Sequence, residues 1–133
     1  MSEFNWSQRV YYEDTDAGGV VYHANYLKFM ERARTEWLRH LSFEQTYLKE
    51  QYQLIFVVRQ ITMDYLKPAR FNDLLQITTQ VHKKGKVSMT LHQQIWRETE
   101  VLCTALVKVA TVNSATFALQ PFPSSLLKAL ESL

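Results

Sequence analysis

The spacing of apolar residues changes between the two halves of the chain. From Ala24 to Leu41 the apolar positions Leu27, Met30, Ala33, Trp37, Leu38 and Leu41 recur at steps of mostly three or four, the spacing of one helix face. Lys28, Glu31, Arg32, Thr35 and Arg39 fall largely on the other side. Such a helix is roughly 27 Å long at 1.5 Å per residue. Ser42 with Gln45 three residues later has the form of a capping box, which predicts a second, short helix to about Tyr52. Ahead of the long helix, a first strand is expected from about Gln8 to Tyr12 and a loop over Glu13–Tyr22.

The second half has a period of two. "RQITMDYL" sets Ile61, Met63 and Tyr65 against Gln60, Thr62 and Asp64. "LQITTQVHK" sets Leu75, Ile77, Thr79 and Val81 against Gln76, Thr78, Gln80 and His82, and "VSMTLHQQIW" puts Val87, Met89, Leu91 and Ile95 on one face. "VLCTALVKVATV" is apolar and β-branched almost throughout, which reads as a strand buried on both sides. "HKKGKVS" reads as a hairpin turn in which Gly85 takes positive φ. "PSSLLKALESL" predicts a terminal helix with Ser124 or Ser125 near its N-cap. One long amphipathic helix then has only an antiparallel sheet to cover it, so the sheet wraps around the helix in an α+β arrangement. An exposed sheet edge remains, and pairing with a second copy would remove it.

Composition narrows the class. The 133 residues fit one domain spanning 1–133, and 47% hydrophobic content suffices for a core without disulfides or metals. Cys103 is the one cysteine and lies in an apolar strand, so it reads as a small hydrophobe rather than a nucleophile. The N-terminus "MSEFNWSQRV" has no signal-peptide pattern, and no run approaches the ~20 apolar residues of a membrane span, so a cytoplasmic protein is expected. A formal charge of +2 does not indicate a nucleic-acid binder. His40, His82 and His92 lack metal-ligand spacing, Ser42 reads as a cap, and the absence of G-x-S-x-G argues against a serine hydrolase.

The chemistry concentrates in "YYEDTDAGGVVYHANYLKF". Asp14 and Asp16 with Gly18-Gly19 read, on spacing alone, as turn formers. A calcium loop is excluded, because Gly18 and Asn25 occupy ligand positions that need an oxygen ligand and a bidentate Glu. In the third reading, the loop delivers an acid to the first turn of the long helix. The unpaired N–H groups there carry the positive end of the helix dipole and polarise a docked carbonyl. A carboxylate facing them attacks the carbonyl or activates a water, and glycines let the backbone come close to the substrate.

"YYEDTDAGGVVYHANYLKFMERARTEWL" resembles the signature of the hotdog-fold acyl-CoA thioesterases of the 4-hydroxybenzoyl-CoA thioesterase class, and most of all the YbgC-type branch associated with the Tol–Pal system. The resemblance implies a hotdog fold over essentially the whole chain. It makes Asp16 the catalytic carboxylate and Asp14 structural. It makes His23 the helix-mouth residue whose backbone N–H polarises the thioester carbonyl, with Gly18, Gly19, Val20 and Tyr22 around the substrate. Lys83, Lys84 and Lys86, by themselves a solvated charge run, match a hairpin that contacts coenzyme A phosphates in the family. Gly85 and Lys86 stand where the 4-hydroxybenzoyl-CoA enzyme has two arginines, so half of that basic pair is absent and the contact shifts to Lys83 or Lys84. The resemblance further implies a dimer joined edge to edge, paired again into a tetramer, with each site between subunits.

The expected activity is hydrolysis of acyl-CoA, with acyl carrier protein thioesters as a further substrate. No metal and no cofactor is expected, coenzyme A being part of the substrate. A peripheral place at the inner membrane goes with the Tol–Pal link. The competing reading is a module near the Tol–Pal envelope system that holds an acyl-CoA or an acyl carrier protein without turnover. The intact set Asp16, Gly18, Gly19 and His23 favours the enzyme. A hotdog dehydratase fits less well, because that chemistry relies on a different His and acid arrangement.

Overall fold

The computed structural model describes residues 3–131. Strand β1 spans Phe4–Arg9, helix α1 Asn25–His40, helix α2 Gln45–Tyr52, strand β2 Leu54–Tyr65, β3 Leu74–Lys84, β4 Ser88–Arg97, β5 Glu100–Asn113 and helix α3 Ser124–Glu131. All five strands form one antiparallel sheet in the order β1-β3-β4-β5-β2. Sequential hairpins join β3, β4 and β5, whereas β2 crosses over to pair with β5 at the edge.

Helix α1 lies on one face of this sheet and buries Tyr26, Phe29, Met30, Ala33, Trp37 and Leu38. The stripe is offset from the expected one. Leu27 is 38% exposed and Leu41 only partly buried, because the larger rings of Tyr26 and Phe29 turn the first two turns toward the sheet. From the sheet, Leu75, Ile77 and Val81 of β3, Met89, Leu91 and Ile95 of β4, and Cys103, Ala105, Val107 and Val109 of β5 meet them. Gln93 occupies the same inward register in β4 and is fully buried among these apolar residues.

Several local expectations are corrected. β1 begins and ends earlier than Gln8–Tyr12, and Tyr12–Asp14 instead form a short 3₁₀ turn. Ser42 does not cap α2. It takes φ 67° in a Schellman turn that ends α1, with Ser42 N–H donating to the Arg39 carbonyl and Phe43 N–H to the Leu38 carbonyl. Helix α2 therefore starts after Glu44. β2 starts five residues before Arg59, since "LIFVV" pairs with β5 ahead of a bulge between Val58 and Gln60. β5 is not buried on both sides. Leu106 is exposed and Thr104 and Lys108 are half-buried, because α1 covers only one face of the sheet.

Gly85 does not take positive φ. It is small for another reason: a Cβ there would lie 3.3 Å from the Ser88 carbonyl that its own N–H bonds at 2.8 Å. Ser124 and Ser125 lie inside the first turn of α3, whose Leu126 and Leu127 amides donate to the Pro123 carbonyl.

The offset of the α1 stripe is testable. Phe29→Ala should destabilise the fold by about 3–5 kcal/mol, the range for an emptied aromatic core site. Leu27→Ala should cost less than about 1 kcal/mol, as surface substitutions do. Urea unfolding of the two variants checks the ranking, and equal losses would restore Leu27 to the core.

Candidate active site

Two aspartates two residues apart acquire opposite environments. Asp14 is 5% exposed and both of its carboxylate oxygens are occupied. Oδ2 accepts the Tyr11 N–H at 2.8 Å and Oδ1 accepts Asn25 Nδ2 at 2.9 Å. Its backbone carbonyl accepts the Tyr22 N–H at 2.9 Å. Asp14 thus ties the strand exit, the loop's return and the first residue of α1 to one point. A buried carboxylate is tolerable there because each oxygen has a donor.

Asp16 is exposed and sits at the head of a tight turn, with the Gly19 N–H donating to its carbonyl at 3.0 Å. Its Oδ1 accepts the Gly18 N–H at 2.8 Å, while Oδ2 makes no hydrogen bond among the described residues. A Cβ on residue 18 would stand 3.1 Å from Oδ1, so glycine allows this approach. Gly19 has φ +78°, where L side chains are strained. The turn closes through Thr15 pairing with Val21 and Asp16 N–H donating to the Val20 carbonyl.

The returning strand of the loop docks on the β2–β3 crossover. Val20 pairs with Arg70, and Val21 N–H donates to the Ala69 carbonyl at 2.9 Å. Between loop, helix start and crossover lies an open pocket of about 670 Å³, lined by Asp16, Val20, Val21, His23 and Tyr26 on one side and by Tyr65 through Pro68 on the other. Tyr65 Oη donates to the His23 carbonyl at 2.9 Å, and Tyr26 Oη accepts the Ala69 N–H at 3.0 Å. Burial raises both phenol pKa values, so both rings stay protonated at neutral pH. The Asn25 and Leu27 amides are used in turn bonds to Tyr22 and Ala24, whereas the His23 N–H has no partner among the described residues.

Of the residues singled out in the sequence, the structure brings Asp16, Val20 and His23 to one pocket. Gly18 and Gly19 shape the turn behind it. Tyr22 is exposed, and its ring meets the His23 ring at a tilt of 44° with centroids 4.4 Å apart. Lys83, Lys84 and Lys86 lie at the β3–β4 hairpin, ten residues along β3 from the crossover. That is on the order of 34 Å at strand rise, so within one chain they do not meet the pocket. The opposite wall, Tyr65 to Pro68, is not marked in the sequence. It lies about forty residues downstream and reaches the loop only through the crossover.

A charge chain braces that wall. Lys67 Nζ lies 2.6 Å from Glu100, and Arg97 reaches Glu100 and Asp73 at 2.7 Å each. Lys67 and Arg97 together hold the Glu100 carboxyl below its ordinary range. Among the described residues no group of three His, Cys, Asp or Glu side chains is placed to hold a metal ion, and no helix is long and apolar enough to cross a membrane.

Comparison with known proteins decides the family. The model of the Thioesterase superfamily matches residues 18–104, which include Gly18, Gly19, His23 and the crossover. The chain belongs to the thioesterase superfamily. It is 46% identical over 130 residues to the acyl-CoA thioesterase YbgC of Haemophilus influenzae, covering 98% of this chain and 96% of that one. It is 45% identical over 125 residues to the acyl-CoA thioester hydrolase YbgC of Escherichia coli, covering 93% and 92%. The crystal structure of a probable thioesterase from Bartonella henselae superposes with a TM-score of 0.88 at 35% identity, over 92% of this chain and 100% of that one. The sheet and its long helix are the hotdog fold that the resemblance implied.

Asp14→Asn replaces one acceptor oxygen with a donor that faces either the Tyr11 N–H or Asn25 Nδ2. It should cost about 1–3 kcal/mol of stability, the penalty for an unpaired buried polar group. Thermal unfolding measures this, and an unchanged midpoint would remove Asp14 from its bracing role.

Proposed function

We propose that this protein hydrolyses the thioester bond of acyl-CoA, with the Asp16 carboxylate as the reacting group and the His23 N–H as the carbonyl donor. One observation carries the reading: Asp16, whose Oδ2 makes no hydrogen bond among the described residues, and His23, whose backbone N–H ahead of α1 has no partner among them, line the same pocket. The carbonyl oxygen of the thioester docks at the His23 N–H, where helix dipole and hydrogen bond stabilise negative charge. Asp16 Oδ2 then takes a proton from a water that attacks the carbonyl carbon, and the proton passes to the departing sulfur. Free acid and coenzyme A thiol result. In the covalent variant Oδ2 itself attacks the carbonyl carbon, the C–S bond breaks and coenzyme A leaves as the thiolate, which takes up a proton, and water then cleaves the Asp16–acyl anhydride to free acid and carboxylate. The Tyr65 hydroxyl donates to the His23 carbonyl and so anchors the His23–Ala24 peptide unit, the one that follows the proposed donor.

The names of the two YbgC relatives, an acyl-CoA thioesterase and an acyl-CoA thioester hydrolase, support this substrate. Retention of Asp16 with its free oxygen supports turnover over mere acyl binding.

The same reading includes a dimer. β2 is a twelve-residue edge strand with one side unpaired in the protomer, and Val58 is 48% exposed on it. A two-fold axis at the strand's midpoint, between Arg59 and Gln60, pairs Tyr65 with Leu54 of the partner subunit. Because Leu54 pairs with Asn113, and Ser88 with Ala110, the partner's lysine hairpin then comes level with this chain's pocket. Three strand spacings separate them, about 15 Å, against about 34 Å within a chain. Coenzyme A phosphates bound by one chain's hairpin would thus serve the other chain's Asp16. Two such dimers form the proposed tetramer.

Asp16→Asn should lower kcat by about 10²–10⁴, the contribution of a general base, and leave acyl-CoA binding intact. Steady-state hydrolysis over a panel of acyl-CoA lengths tests this, and a folded variant within a few fold of wild type would overturn the mechanism. Alanine at Lys83, Lys84 and Lys86 together should raise KM with kcat unchanged, the pattern of lost uniform binding. The effect should fade as salt shortens the screening length to about 10 Å at 0.1 M. An unchanged KM at low salt would return these lysines to a solvated surface run.

A further inference from the structure

Strand β5 ends in a turn that displays a phenylalanine. Phe117 is 63% exposed and takes φ 61°, a conformation in which a bulky side chain is strained. Backbone and side-chain bonds hold the turn in that shape. Phe117 N–H donates to the Asn113 carbonyl at 2.8 Å, and Asn113 N–H donates to the Ala118 carbonyl at 2.8 Å. Asn113 Oδ1 accepts the Ala115 and Thr116 N–H groups at 2.9 and 3.1 Å. None of these bonds needs the Phe117 ring. Glycine or asparagine would make the same turn with less strain, and a ring this exposed adds little to the core. Leu119, two residues on, is exposed as well.

The turn is tied to the lysine hairpin. Thr111 N–H donates to the Val87 carbonyl at 2.9 Å, Leu119 pairs with Val112, and Phe122 N–H donates to the Lys86 carbonyl at 3.2 Å. Val87 is thus level with Thr111, two residues before the Asn113 carbonyl on which Phe117 rests. At strand rise that places the Phe117 backbone within on the order of 10 Å of the hairpin. A nucleotide spans such a distance between its phosphates and its base. Among the described residues, Lys83, Lys84 and Lys86 form no ion pair with any carboxylate. Three unpaired cations and an exposed ring held in a strained turn therefore share one corner of the protomer.

We propose that Phe117 is a substrate-binding residue: its ring stacks on the adenine of coenzyme A while the hairpin lysines hold the phosphates. The inference rests on the acyl-CoA reading and deepens it, since it assigns the base, which the lysines alone leave unbound. Lysines act as point charges and do not tell a nucleotide from another phosphate. An aromatic face makes that distinction, because a base binds it through its own π face. Leu119 adds apolar surface beside the ring. A ring fixed before the ligand arrives loses little freedom on binding, which is what a braced turn provides. Ring and lysines belong to one chain and so act on the same coenzyme A.

The test compares the acyl-CoA hydrolysed best with the matching acyl-4′-phosphopantetheine, which keeps one phosphate and lacks the nucleotide. Phe117→Asn removes the ring and suits positive φ. Its KM for acyl-CoA should rise about tenfold with kcat unchanged, while its KM for the phosphopantetheine ester stays at the wild-type value. Phe117→Trp keeps an aromatic face and should retain the wild-type KM for both. Calorimetric titration with adenosine 3′,5′-bisphosphate reads the same contact without catalysis, and Phe117→Asn should bind it about tenfold more weakly than wild type. An unchanged KM for acyl-CoA in folded Phe117→Asn overturns the proposal. An equal rise for both esters overturns it as well, since the ring would then act on something other than the nucleotide. Failure of the thioesterase reading looks different, because wild type would then hydrolyse neither ester.

Discussion

The unpaired edge of β2 is the constraint on which the rest of the molecule depends. β2 crosses over to the far side of the sheet, so among the described residues it pairs on one side only. Such an edge is a template for another strand. The same topology puts the Asp16 pocket at one end of β2 and the lysine hairpin toward the other. Within a lone protomer the proposed carboxylate and the proposed phosphate-binding lysines are therefore too far apart to act on one substrate. In the proposed dimer, two-fold pairing of β2 would satisfy the edge and, in the same step, bring one chain's carboxylate level with the other chain's lysine hairpin.

Within the protomer, the loop ahead of α1 shows how burial divides labour between like residues. Asp14 spends both oxygens on holding the loop, and Asp16 spends one on its own turn while the other makes no hydrogen bond among the described residues. The glycines act at distinct points. Gly18 admits the Asp16 oxygen, and Gly19 takes the backbone where side chains are strained. The crossover then fixes the loop from outside through Val20 and Val21.

Much of this was legible in the sequence because it is local. Alternation marked β3 and β4, helical spacing marked α1, and the acid, Gly-Gly and His23 order marked one wall of the pocket. What escaped was set by tertiary packing. Leu27 has the spacing of a core residue, but the aromatic rings beside it take the core face. Ser42 has the sequence of a cap, but the end of α1 captures it first. Gln93 interrupts the apolar face of β4, and only the fold shows that its Oε1 accepts from Arg34. The Tyr65–Pro68 wall left no local sign, since only the crossover makes it part of the pocket.

The composite site is tested most directly by mixed dimers. One chain carries Asp16→Asn with its lysines intact, and the other carries intact Asp16 with alanine at Lys83, Lys84 and Lys86. Neither homodimer combines a working carboxylate with the cations. In a two-fold dimer sharing its sites, the mixed species rebuilds one complete site of two. Differently tagged chains purified as the mixed species should show about half the wild-type kcat with the wild-type KM at low salt. A KM that stays at the value of the lysine-free homodimer would contradict the shared site and place the cations in service of their own chain.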